Sequence, residues 1–240
     1  MTMHPRRSLQ LSALAILAMV LVGGSSLAAQ AASKAPTAAT VIAAAKTSLA
    51  KETGVHIVVT TENNKVLSSV VANIGTDSGY ETYKEGKETF TISVTPKYAY
   101  LSGSTTGLTK LMGLTAKEAK QVGTKSIVMK KGTSPYTTFK TNLTSAAFSQ
   151  LLPAAKGTTL LPARDKTTNG YQLTWTTAAT TSAPKTTSVL VISAGSSTVP
   201  LKESVSTSSG ASHTTFTNWD KPFAVTVPSS TIAYAKVFTS

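Results

Sequence analysis

Residues 54–74 read GVHIVVTTENNKVLSSVVANI, and their spacing decides the fold. Val55, Ile57 and Val59 recur at every second position, the period of a strand with one buried face, so the backbone here is extended. Glu62-Asn63-Asn64-Lys65 supplies residues suited to a tight reversal, and Val66 to Ile74 returns as a second strand. The segment is a β-hairpin.

Working outward, the period before Gly54 is different. Val41, Ile42, Ala45 and Leu49 recur at helical spacing, and Gly54 is a natural stop, which predicts a helix from about residue 38 to 53. After the hairpin, strands are expected at 80–84, 90–94 and 97–102, with turns at Asp77-Ser78-Gly79 and Glu85-Gly86-Lys87. Between Thr105 and Leu152 the helical period returns. Leu108, Leu111, Met112 and Leu114 cluster, and Thr115 with Glu118 has the spacing of a capping box. Two short helices, a brief strand at 126–130 and a helix at 144–152 ended by Pro153 are expected there. Strands resume at 171–177, 187–193, 199–207 and 212–218, so a helical insert separates two sheet halves.

Composition agrees with this reading. Thr occurs 41 times and Ser 29 times in 240 residues, which favours strands and turns over long helices. The expected class is α+β, mainly β: a barrel or curved antiparallel sheet with short helices covering one face. Residues 38–240 are read as one domain behind a flexible lead at 32–37. With no cysteine, disulfides, thiolate nucleophiles and Cys-held metals are excluded.

The first 31 residues combine a basic start at Arg6 and Arg7, an apolar run from Leu11 to Val22 and the small-residue sequence Ala29-Gln30-Ala31. That order is a secretory signal, and the run is too short to span a bilayer core of about 30 Å. Export to the cell envelope or beyond is expected. The chain carries 23 basic and 10 acidic side chains, a formal net charge of +13. After Arg6 and Arg7 leave with the signal, Arg164 is the sole arginine, and the spread of Lys suits solubility and weak attraction to anionic polymers or head groups better than reading of nucleic acid.

Catalytic constellations are poorly represented. His213 and Asp220 lie close in sequence, but no Gly-x-Ser-x-Gly elbow accompanies them, and both His56 and His213 sit in strand patterns. The acids are scattered; Glu81, Glu85 and Glu88 come nearest to a cluster, yet Lys84 and Lys87 interleave with them as in a solvated hairpin. No catalytic residue, metal ligand or cofactor is assigned.

The stretch Val189-Leu-Val-Ile-Ser through Val199-Pro200, then Thr214-Thr-Phe216-Thr-Asn-Trp219-Asp220-Lys221-Pro222, resembles the end of the actinobacterial envelope lipoproteins of the LppX/LprG group. Gly54-Val55-His56 after a helix, and Tyr98-Ala-Tyr100-Leu-Ser-Gly103 ahead of Leu108 and Ala116-Lys-Glu-Ala119, are similar to that group too. The resemblance implies a LolA-like half-barrel with helices covering the concave face, which carries lipids or acylated glycolipids in an apolar cavity. This chain lacks the lipidated cysteine of the group.

The leading reading is a non-enzymatic, monomeric carrier of a lipid or acylated glycolipid. Its candidate ligand-binding residues are Ile57, Val59, Val70, Ile92, Val94, Leu108, Leu111, Met112, Phe148 and Leu151. The alternative is a solid-core basic surface protein binding anionic wall polymers or lipid head groups.

Overall fold

The hairpin of residues 54–74 is present as β1 (Gly54–Asn63) and β2 (Val66–Gly75), paired from Gly54 opposite Gly75 to Asn63 opposite Val66. Its reversal is tighter than four residues. Asn64 and Lys65 alone lie outside the ladder, at φ 49° and 66°, the two-residue turn whose twist matches that of the flanking strands. This computed structural model describes residues 35–162, 169–180 and 184–238. The export segment at 1–31, residues 32–34 of the flexible lead and Arg164 lie outside the described residues.

The chain forms two compact units: Glu52–Ala147 with Ser209–Ser240, and a second that includes residues 35–51 and Phe148–Ser208. In the first unit β1 and β2 are joined by β3 (Gly79–Glu85), β4 (Glu88–Val94), β5 (Tyr98–Gly103), β6 (Ser126–Lys130), β11 (Gly210–Thr217) and β12 (Thr231–Ala233). Their order is β12-β6-β5-β4-β3-β2-β1-β11, antiparallel except for β12 against β6. The sheet is open. Helices α2 (Thr105–Lys110), α3 (Ala116–Val122), α4 (Ser134–Asn142) and α5 (Tyr234–Phe238) belong to this unit. In the second unit, β7 (Thr159–Pro162), β8 (Gly170–Thr177), β9 (Thr186–Ser193) and β10 (Pro200–Ser206) pair in the order β10-β9-β8-β7, accompanied by α1 (Ala38–Leu49). The class is α+β and mainly β, as the sequence implies.

Local chemistry explains the helices. Thr37 caps α1 by accepting from the Thr40 amide, and Val41, Ile42, Ala45 and Leu49 form its buried stripe. The helix ends at Leu49 rather than near residue 53: the Ala50 amide makes the last four-residue bond, to Lys46, and the Lys51 amide turns back to Ser48, three residues before it, which tightens the last turn. The capping box expected at Thr115 and Glu118 is present, each side chain bonding the other's amide at 3.2 and 2.6 Å.

Three features differ from the sequence reading. Residues 144–152 hold a 3-10 turn, Ser145–Leu151, in place of an α-helix. The helix of this region is α4, whose nine residues offer just two buried anchors, Tyr136 and Phe139, among hydroxyl residues that disguise the period. Strands β7 and β12 are too short for alternation to reveal.

Candidate functional site

In the first unit, directly opposed residues share a face, and one such row crosses all eight strands: Phe216, Ile57, Ala72, Glu81, Ile92, Leu101, Ile127 and Ile232. Seven are apolar and one is a carboxylic acid. The row on one side, Val55, Ile74, Gly79, Val94, Ala99 and Met129, is buried throughout. On the other side lie Thr214, Val59, Val70, Tyr83, Phe90 and Gly103. Beyond them the same face turns polar at Ser212, Thr61, Ser68, Glu85 and Glu88, with Thr61 donating to Ser212 at 3.1 Å and Tyr83 to Glu85 at 3.0 Å. The face is thus apolar through three rows except at Glu81 and Thr214, and polar at one rim.

Helices cover part of it. Leu108, Met112, Leu114, Ala119, Val122, Tyr136, Phe139 and Val237 pack with Phe90, Ile92, Val94, Leu101, Ile127 and Met129 in one cluster, every buried member at most 7% exposed. Ser104 seats α2 by capping Gly107 at 2.9 Å, and the Tyr136 hydroxyl anchors α4 by donating to the Pro96 carbonyl at 3.0 Å. The stretch of the same face on β11, β1 and β2 (Val55, Ile57, Val70, Ala72, Ile74 and Phe216) is equally buried but lies outside that cluster.

Of the sequence candidates, Ile57, Val59, Val70, Ile92 and Val94 all fall on this single face. Ile92, Val94, Leu108 and Met112 are members of the helix-covered cluster, with Leu111 packed at its margin. Ile57 and Val70 are buried farther along the sheet, and Val59 is half-buried. Phe148, buried, and Leu151, half-buried, belong to the second unit.

Two functional candidates are not visible in the alternation. Glu81, read as part of a solvated acidic turn, is 5% exposed, with Ala72 opposite on β2 and Ile92 opposite on β4. It belongs to the inward face because Gly79, Glu81, Tyr83 and Glu85 alternate with the outward Tyr80, Thr82 and Lys84. Burial pushes its carboxyl up to about 7. The second unit repeats the motif: Glu203 on β10 opposes Leu190, which opposes Leu173, which opposes Leu160, and burial raises its carboxyl to about 7 as well. Only the pairing register, which the sequence does not print, sets either acid in an apolar row.

The other acids of the expected cluster are engaged at the surface. Glu88 accepts from Lys110 at 2.7 Å, which holds its carboxyl below the usual range, and Glu85 accepts from Tyr83. Asp220 accepts from Thr53, and His56 Nδ1 lies 3.0 Å from Asn73 Oδ1. In the second unit a cavity of about 250 Å³ lies beside α1, lined by Val41, Ala44, Tyr171 and Thr198 among others, below the usual volume of a small-molecule site.

No family model and no curated protein matches the chain. Among solved structures, it is similar to the lipoprotein LppX of Mycobacterium tuberculosis, with 12% identity and a TM-score of 0.49 over 79% of this chain and 98% of that one. It is also similar to LprF of Mycobacterium bovis, with 15% identity and a TM-score of 0.47 over 80% and 96%. At these values the likeness assigns no residue and no ligand.

Proposed function

We propose that the protein is a non-enzymatic carrier that shelters the acyl chain of a lipid or acylated glycolipid against the inward face of its first unit, on the stretch formed by β11, β1, β2 and β3. The observation that carries this reading is the row from Phe216 to Ile127, apolar at every strand but one and continued by apolar rows on both sides. Four strands make an apolar face about 14 Å across, buried in this structure, so a chain laid on it displaces what covers it. Each methylene laid on it contributes about 0.8 kcal/mol, so one long chain is held without specific polar contacts. The polar rim at Thr61, Ser68 and Glu85, beside the Lys110 and Glu88 pair, is where a head group would meet water. Ile57, Val59 and Val70 are the candidates that touch the chain; Ile92, Val94, Leu108, Leu111 and Met112 support it as packed core. Residues 1–31 export it to the envelope.

A second reading, the solid-core basic surface protein, is favoured by the tight filling of the helix-covered cluster. Native mass spectrometry of protein purified from its own envelope, followed by solvent extraction, separates the two. The carrier yields a discrete extra mass that extracts as lipid and withstands high salt, and Val59→Phe lowers its occupancy. A clean unloaded mass, with binding to anionic polymers that collapses as salt rises, establishes the surface protein instead.

A further inference from the structure

Glu81 has no structural employment. Among the described residues its carboxyl makes no hydrogen bond and no ion pair, and the neighbouring hydroxyl, that of Tyr83, is turned to Glu85. An unpartnered carboxyl on an apolar face lowers stability, so a residue of Leu or Met shape would serve folding better. Its oxygens are nevertheless not sealed. No buried side-chain oxygen or nitrogen among the described residues is both closed off and without a partner, so the Glu81 oxygens face space that water-sized groups reach, within a residue 5% exposed. A polar group with no partner, set in an apolar row between Ala72 and Ile92 and not sealed off, is an arrangement for meeting a polar atom of something bound.

We propose that the Glu81 carboxyl is the polar recognition point of the inward face, donating a hydrogen bond to an ester or hydroxyl oxygen of a neutral acylated lipid. This rests on the carrier reading and narrows it to a class of cargo. The surroundings select against charge, because a fatty-acid carboxylate or a phosphate brought to this position would be desolvated beside a second acid. Burial supports the donor role, since a carboxyl raised to about 7 keeps its proton in mildly acidic surroundings and in about half the molecules at neutrality.

The test compares four probes of matched chain length, monopalmitoylglycerol, palmitate, hexadecylamine and hexadecane, on the purified protein in mildly acidic buffer by native mass spectrometry. The wild type is expected to prefer monopalmitoylglycerol over hexadecane by about tenfold, the worth of one such hydrogen bond. Glu81→Leu should erase that preference while leaving hexadecane binding equal or stronger, and Glu81→Gln, whose amide still donates, should keep most of it. Circular dichroism of both variants confirms that they fold, and Glu81→Met replaces Glu81→Leu if the latter does not. An unchanged preference in the apolar variant, or a preference of the wild type for hexadecylamine or palmitate, overturns the assignment of Glu81 while the carrier reading stands. Uptake of none of the four probes by the wild type overturns both.

Discussion

Asp220 Oδ1 accepts two hydrogen bonds from Thr53, one from its hydroxyl at 2.6 Å and one from its amide at 3.2 Å, while the Asp220 amide donates to the Gly54 carbonyl at 2.8 Å. The loop after β11 is thereby tied to the start of β1, and Phe223 of that loop packs edge-on against Tyr80 and lies over Gly54 and Gly75. A side chain at Gly54 would meet the Lys221 carbonyl, so the glycine that ends the helical period in the sequence also admits this closure.

Asp220 adopts φ 60°, a left-handed conformation that Asn shares and Ala resists. Asp220→Ala is therefore expected to lower the Tm by several degrees at neutral pH, and Asp220→Asn by less. The bonds from Thr53 hold the carboxyl below its ordinary value, so its contribution is present at neutral pH and lost as pH falls through that lowered value. Thermal melts should show the gap between wild type and Asp220→Ala closing in strong acid. A gap that stays constant would assign the effect to backbone conformation alone.

Gly79 faces inward on β3, and a Cβ there would run into the Leu143 carbonyl where the chain leaves α4. Gly79→Ala should displace that turn together with the Gly75 to Thr144 bridge beside it. Hydrogen exchange is expected to show lost protection around residues 143–147 ahead of any change at the β1–β2 hairpin. Uniform loss through both regions would mean that the substitution unfolds the unit globally.

Within the helix-covered cluster, Leu108→Ala should cost about 2–5 kcal/mol in urea unfolding, because fully buried neighbours such as Ile92 and Ile127 collapse poorly into the cavity. Met112, a sequence candidate for ligand contact, packs in the same cluster. Met112→Ala should then lower stability in similar fashion without a selective loss of lipid uptake. A lipid-specific loss at full stability would move the binding surface under α2.

The alternation that reveals a strand also reveals which of its residues share a face, so Ile57 could be grouped with Val59 and Ile92 with Val94 from the sequence, while the pairing register alone sets both pairs and Val70 on one face. Capping residues such as Thr115 and Glu118 were legible for the same local reason. What escaped is non-local. Helix α4 has a period masked by Thr and Ser, β12 exists as a partner of β6 rather than by its own three residues, and Glu81 looks solvated until Ile92 is known to oppose it. A charged residue in a short strand carries no mark of the face it occupies, because the strand's other face, Tyr80, Thr82 and Lys84, is equally polar.

The two inward acids make stability fall as pH rises. Glu81 and Glu203 are raised from 4.5 to about 7 by burial, so between those values the unfolded chain has released its protons while the native chain still holds them. The native state then binds more protons than the unfolded one, and the stability conferred in acid is lost progressively up to about pH 7 and constant above. The loss is about 3 kcal/mol for Glu81 and less for the more exposed Glu203. Urea unfolding from pH 5 to 8 should therefore give a falling midpoint in the wild type and a much flatter one in Glu81→Gln with Glu203→Gln. A variant whose profile parallels that of the wild type would mean that water reaches both carboxyls freely and that neither is held in an apolar row.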